Sequence, residues 1–221
     1  MLGDYDKYII KLFNKPKLIG VVADVNQGKS MLLYHLLESC LKKHKLNLYY
    51  YGLRLNMAHK NLEKSQRIYT IAELEDITDS FIVVDELSSL FDLDNRKNRK
   101  LIETTLRLIN HNNNLLILCG TPENFKKFIS AKLNVVFFKK TTISDAINGS
   151  VVKNILNSYR GYEKGSELLN LPINKAIVFN GKHYQLLDIP YYKKYDTKKD
   201  NISILRKTSN LKKVKKNEKL L

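Results

Sequence analysis

A chain of 221 residues with 43% hydrophobic content can build one domain with a full core, and nine glycines and four prolines exclude a fibrous or wholly disordered chain. Its formal charge of +16 and isoelectric point near 9.6 call for polyanionic company, either nucleic acid or an anionic surface, and say nothing of the fold. Two cysteines without metal-ligand or CxxC spacing, five scattered histidines and the lack of a long apolar run argue against a disulfide framework, a Cys/His metal centre and a membrane span, and for a soluble, cytoplasmic protein.

Residues 1–17 hold Ile9, Ile10, Leu12 and Phe13 between charges, the pattern of a peripheral helix. The strand "KLIGVVAD" follows, then a loop, a helix over 29–43 and a second strand, "LNLYYYG", with its core at 47–52. Strand, loop, helix and strand at this spacing form a βαβ unit, which implies a parallel sheet. Cys40 and Cys119 both sit in apolar runs and read as small buried hydrophobes. Residues 53–79 are polar and mixed, with helices expected at 56–64 and over "IAELED".

The run "SFIVVDE", 80–86, is a continuous apolar strand ending in two carboxylates. A polar stretch, "DLDNRKNRK", leads into a helix through "LIETTLRLINHN", where Leu101, Ile102, Leu106 and Ile109 share one face. "LLILCGT", 115–121, is the next buried strand, and Pro122 stands where a helix over "ENFKKFISAK" would begin. "NVVFFKK" supplies another strand, and 144–158 another helix. "KAIVFNGKHYQLLDI" reads as a hairpin turning on Asn180-Gly181, a type I′ signal. Residues 193–221 then carry eleven Lys or Arg against three Asp or Glu, a net +8 and half of the chain's excess. The expected organisation is an N-terminal segment (1–17), an α/β domain (18–190) and a basic tail (191–221). In that tail Tyr191, Tyr192 and Tyr195 offer stacking faces to nucleic acid.

Two stretches carry chemistry. Ala23-Asp24-Val25-Asn26-Gln27-Gly28-Lys29-Ser30 has the length and the last three residues of a phosphate-binding loop, or Walker A motif. Such a loop turns successive backbone N–H groups and a helix N-terminus toward the phosphates; the lysine neutralises β/γ charge and the hydroxyl ligates Mg²⁺. These eight residues and Met31 are the expected nucleotide-binding set. Ala23 stands where the first glycine is usual, a departure of little consequence unless its φ is positive, when it costs about 1–2 kcal/mol. The second stretch, Phe81-Ile82-Val83-Val84-Asp85-Glu86, reads as a Walker B motif. Asp85 is expected to hold Mg²⁺ together with Ser30, and Glu86 to polarise a water for attack on the γ-phosphate. A carboxylate at position 86 favours ATP hydrolysis over phosphoryl transfer by a kinase, although an acid there also suits a helix N-terminus. Thr121 closes its strand as a polar sensor of the γ-phosphate if that strand neighbours the Asp85 strand; it equally suits an N-cap for the Pro122 helix. An arginine acting on a neighbouring subunit's site has four candidates, Arg96, Arg99, Arg107 and Arg160, each equally readable as a solvated surface charge. Arg107, on the helix before the Thr121 strand, is the one assigned.

This order of motifs, ending in a β-hairpin, resembles the additional-strand ATPases of the FtsK–HerA superfamily, most nearly the small viral genome-packaging ATPases, over residues 15–190. The resemblance implies a three-layer α/β sandwich of the P-loop NTPase type (ASCE, RecA-like), with a mainly parallel central sheet and a C-terminal β-hairpin. It implies ATP and Mg²⁺ as cofactors, Lys29 and Ser30 on the phosphates and metal, Asp85 as metal partner, Glu86 as catalytic carboxylate and Thr121 as sensor. It further implies a homo-oligomeric ring, a pentamer or hexamer, that drives double-stranded DNA into a capsid, with a capsid or portal protein as partner, in the host cytoplasm or on the virion. The chain departs from the family at Ala23 and before the sensor strand, where an arginine is common and "INHNNN" stands here, with His111 in it and Arg107 a turn earlier. Three other readings stay open. They are a helicase loader or AAA+ initiator, which would carry a helical lid after residue 140; a nucleotide or small-molecule kinase; and a nucleotide-switched nucleic-acid-binding protein without turnover.

Overall fold

The apolar runs of the sequence become the strands of one sheet, because buried β-branched and aromatic side chains pack well on a pleated surface. A computed structural model describes residues 17–41, 46–53, 65–141, 168–180 and 184–189, together with Ile9, Lys11 and Phe13. By its contacts the chain separates into Met1–Pro190 and Tyr191–Leu221, and every described residue belongs to the first unit. The basic tail, the helices expected at 56–64 and 144–158, and Arg160 lie outside the described residues.

The strands are β1 (Lys17–Val22), β2 (Asn47–Tyr51), β3 (Gln66–Arg67), β4 (Ser80–Val84), β5 (Leu115–Gly120), β6 (Val135–Phe138), β7 (Lys175–Phe179) and β8 (Tyr184–Asp188). Their order across the sheet is β3-β2-β4-β5-β1-β6-β7-β8. All pairings from β3 to β6 are parallel, and β7 and β8 add to β6 antiparallel. The expected parallel sheet with a terminal hairpin is therefore present, and β5 stands between β1 and β4. The segments after 141 that are described extend the sheet by this hairpin. Phe179 pairs with Tyr184, so four residues (180–183) separate the paired positions. A two-residue type I′ turn on Asn180-Gly181 would instead pair Phe179 with Lys182; cross-strand register overrides the local turn signal.

The main helices are α1 (Lys29–Leu41), α2 (Leu87–Phe91), α3 (Arg96–His111) and α4 (Lys127–Ser130). One face of the sheet presents Leu18, Val22, Ile82, Val84, Leu116 and Leu118 to Ile102, Leu106 and Ile109 of α3 and to Phe91 of α2. The other residues of the same strands, Ile19, Val21, Val83 and Ile117, point the opposite way, where α1 packs on β1 and β5 with Leu32, Leu33, Leu36 and Leu37 fully buried. Two layers of helix thus sandwich the sheet. From the N-terminal segment, Ile9 and Phe13 are buried, and the Phe13 ring meets Phe81 of β4 edge-on at 6.2 Å.

Two expected helices are shorter than their sequence signals. "IAELED" forms only the 3₁₀ turn Ala72–Glu75. After β5 the helix starting at Pro122 stops as the 3₁₀ turn Pro122–Asn124 and resumes as α4. Phe125 breaks it: with φ −86 and ψ 68 its ring turns wholly into the core, where Gly20 of β1 leaves room. A Cβ at Gly20 would come within 3.2 Å of that ring and 2.9 Å of Leu133.

Candidate active site

The site grows from the C-terminal ends of three adjacent parallel strands, β4, β5 and β1, the edge at which open α/β sheets bind ligands. Beyond β1 the backbone keeps its pairing for one more residue on each side: Ala23 N–H donates to Gly120 O (3.2 Å) and Asp24 N–H to Lys140 O (3.3 Å). The chain then turns sharply, with Asn26 (φ 62) and Gly28 (φ 78) in the left-handed region, and enters α1 at Lys29. Ala23 is not among the residues with positive φ, and it is fully buried. The absent glycine therefore carries no backbone penalty. Ala23→Gly should lose about 1 kcal/mol of stability through added unfolded-state freedom, as thermal melting would report.

Lys29 reaches back across the loop, and its ammonium donates to the carbonyls of Ala23 (3.1 Å) and Asp24 (3.2 Å). Ser30 Oγ donates to Asp85 Oδ2 at 3.5 Å, so residues 55 apart in sequence meet. Asp85 is positioned from both neighbours of β4: its N–H donates to Tyr51 O (2.9 Å), and its carboxylate accepts from the Cys119 thiol on β5. Burial raises its carboxyl above the ordinary carboxylate value and the Glu86 charge adds to the rise, while the Cys119 hydrogen bond and the Lys29 ammonium oppose it. A desolvated carboxylate beside a serine hydroxyl is an oxygen donor pair that gains from a hard cation, so these residues fit Mg²⁺ held by few protein ligands.

Glu86 is exposed and stands at φ 67, ψ 66, a left-handed conformation in a residue with a side chain. It costs about 1–2 kcal/mol and swings the chain from β4 into α2. Thr121 follows β5, between Asp85 and the loop in strand order. Its side chain makes no cap hydrogen bond to the turn it precedes; the hydroxyl donates to the Glu123 carboxylate and accepts from Asn124 Nδ2 (3.0 Å). The structure thus gathers Ala23 through Met31, Asp85, Glu86 and Thr121 at one edge of the sheet. Arg107 is exposed on α3, away from that helix's buried face. Arg99 is engaged within its own chain, paired with Glu103 (3.0 Å) and lying 5.0 Å over the Phe128 ring.

Three features of the site have no local signal in the sequence. Cys119 reads in sequence as a small apolar residue, yet the parallel register Val84↔Leu118 sets it opposite Asp85. Gly52 (φ 75) follows β2, and a Cβ there would lie 2.2 Å from the Asp85 carbonyl oxygen, so only glycine lets the chain pass. Lys139, just beyond β6, is wholly buried against the loop at Gly28. The "INHNNN" run, which stands where an arginine is usual, lies at the opposite edge of the sheet and braces the entry to β4: Asn112 donates to Glu75 O (2.9 Å), Asn113 to Asp79 (2.7 Å) and Asn114 to Ile77 O, while Asn114 accepts from Ser80 N–H (2.9 Å). Among the described residues no cluster of three or more His, Cys, Asp or Glu is placed to hold a metal, and no helix is long and apolar enough to cross a membrane.

The same architecture is found in proteins of known structure. The DNA-packaging ATPase B204 of Sulfolobus Turreted Icosahedral Virus superposes with a TM-score of 0.60 at 13% identity, over 81% of this chain and 100% of its own. The pCW3 conjugation coupling protein TcpA, in its monomer form with ATPγS, gives a TM-score of 0.59 at 16% identity, over 87% of this chain and 66% of its own. The cytoplasmic domain of the Thermomonospora curvata type VII secretion ATPase EccC gives 0.56 at 16% identity, over 80% of this chain and 25% of its own. No protein-family model matches the chain, and no curated protein matches it in sequence. The shared architecture is the fold of P-loop ATPases.

Proposed function

We propose that this protein is an ATP-hydrolysing translocase of double-stranded DNA, and specifically a motor that packages a viral genome into a capsid. The observation that carries the reading is the insertion of β5 between β1 and β4, which sets Lys29, Ser30, Asp85, Glu86 and Thr121 along one strand edge. The full-length match of B204 to most of this chain supports the narrower role, as does a charge of +16 on a compact domain with a basic tail.

In the proposed mechanism the N–H groups from Asp24 to Ser30 and the N-terminus of α1 receive the phosphates. Lys29 exchanges the Ala23 and Asp24 carbonyls for the β/γ oxygens. Ser30 and Asp85 would hold Mg²⁺, which would supply neutralisation of phosphate charge. Glu86, at the mouth of the site, takes a proton from the attacking water, and the Thr121 hydroxyl turns its proton from the Glu123 carboxylate to the γ-phosphate side while still accepting from Asn124. Arg107 is assigned to the site of the next subunit in a pentameric or hexameric ring, where it would offset charge developing in the transition state. DNA runs through that ring, gripped by lysines at its phosphates, with a capsid or portal protein as docking partner.

Steady-state ATP hydrolysis with and without double-stranded DNA tests the reading. Turnover should rise several-fold with DNA, and the stimulation should fall steeply between about 50 and about 200 mM salt as counterion release weakens. ATP binding without turnover at any protein concentration would overturn it in favour of a nucleotide-switched binding protein. Phosphate transfer to a nucleoside would overturn it in favour of a kinase.

A further inference from the structure

Lys139 has no place in the mechanism above, and its surroundings are unusual for a lysine. It follows β6, on the side of β1 away from β5 and β4, and its N–H continues the pairing by donating to Val22 O at 2.9 Å. It is fully buried, and among the described residues its ammonium has a single hydrogen-bond acceptor, the carbonyl of Ile173, and no carboxylate partner. Burying an unpaired ammonium is costly, and burial lowers its pKa to about 8. The stem passes beside Gly28: a Cβ on that glycine would lie 3.5 Å from Lys139 Cε and 3.6 Å from Nζ. Ile173 lies there too, its Cγ1 3.4 Å from the same point, yet its side chain is 51% exposed. Of the four large apolar side chains left exposed among the described residues, two, Val25 and Ile173, belong to this loop and its flank.

The placement has a direction. Asp85, Glu86 and Thr121 occupy one flank of the loop, so the γ-phosphate belongs there. A nucleotide is long, and its sugar and base must leave toward another side; on the opposite flank the fold holds an apolar side chain open beside the loop. We propose that Ile173, clamped in position by Lys139, is the platform on which the base of the bound nucleotide rests. The proposal depends on the reading of residues 23–30 as an ATP-binding loop. Ile173 touches the ligand, and Lys139 is a positioning residue that acts through it. Non-polar contact with a flat base needs only an exposed aliphatic surface held at the right depth, which the Lys139–Ile173 bond provides.

Affinities for MgATP and for inorganic triphosphate with Mg²⁺ separate the two ends of the site. Ile173→Ala should weaken ATP roughly fivefold by loss of apolar contact and leave triphosphate unchanged. Ile173→Phe should hold ATP at least as tightly as the wild type, through stacking. Lys139→Met should reduce the preference for ATP over triphosphate in the same direction without lowering the melting temperature of the ligand-free protein, because methionine removes a buried charge. A residue serving stability alone would lower that temperature and leave the preference intact. The proposal is overturned if Ile173→Ala leaves the ratio of the two affinities unchanged, or if its effect appears only in self-association. A wild type that binds triphosphate but fails these tests sinks the platform alone; one that binds neither ligand sinks the ATP-site reading, and the platform with it.

Discussion

Replacing Lys29 by alanine is expected to cut ATP turnover about 10³-fold while the protein stays folded. The ammonium occupies the middle of the loop, held at 3.1 and 3.2 Å by two carbonyls of the turn that it would leave for phosphate oxygens. Its loss from the ligand-free protein removes hydrogen bonds worth about 1–3 kcal/mol together and leaves two loop carbonyls that water can reach. For a domain of this size the melting temperature should fall by about 2–12 °C. The effect on the bound state is larger, because no other side chain of the loop carries positive charge. Lys29→Arg should not rescue turnover, since a planar guanidinium cannot occupy a space shaped for a compact ammonium on a flexible stem. Melting with and without MgATP separates the two effects: wild type gains stability by linkage to the ligand, and Lys29→Ala does not. A variant that keeps a tenth of wild-type turnover would remove Lys29 from the proposed chemistry.

The sequence showed the elements of this site better than it showed their meeting. "LIGVV", "FIVV" and "LLILC" announce buried strands because β-branched and large apolar residues run without polar interruption, and α3 was visible in the spacing of Ile102, Leu106 and Ile109. That Ser30 and Asp85 touch depends on β5 being the strand between β1 and β4, a non-local choice that no window of residues states. Cys119 and Lys139 have no local signal for a related reason, since Cys119 acquires its role from Asp85 across the β4–β5 register and Lys139 from Ile173, far away in the chain. β3 is two exposed residues and has no periodicity to detect. The shortened helix after Pro122 failed differently. Its local signal was sound, but the core needed the Phe125 ring more than it needed another helical turn.

Glu86→Gln should lower turnover by about 10²–10³-fold with ATP binding retained, whereas Glu86→Gly should lower it as far and stabilise the protein. The two substitutions divide what the residue does. Glutamine keeps the shape and the left-handed backbone but cannot accept a proton from water, so its effect isolates the carboxylate. Glycine removes the carboxylate and also the steric penalty at φ 67, ψ 66, about 1–2 kcal/mol, against which it adds up to about 1 kcal/mol of unfolded-state entropy. A net gain on the order of 0.5–1 kcal/mol should raise the melting temperature by about 2 °C. A residue retained in a conformation that glycine would adopt more easily is retained for its side chain, and an exposed carboxylate next to Asp85 has few structural partners to explain it. Its N–H neighbours continue into α2, and Ser89 N–H donates to the Glu86 carbonyl at 3.0 Å, so the backbone task at this turn is met without the carboxylate. Single-turnover hydrolysis, nucleotide titration and thermal melting on the same three proteins decide the matter. Wild-type turnover in Glu86→Gln would reduce Glu86 to a helix-start acid favoured by the dipole; a lower melting temperature in Glu86→Gly would mean that the strain is compensated locally and the carboxylate serves the fold.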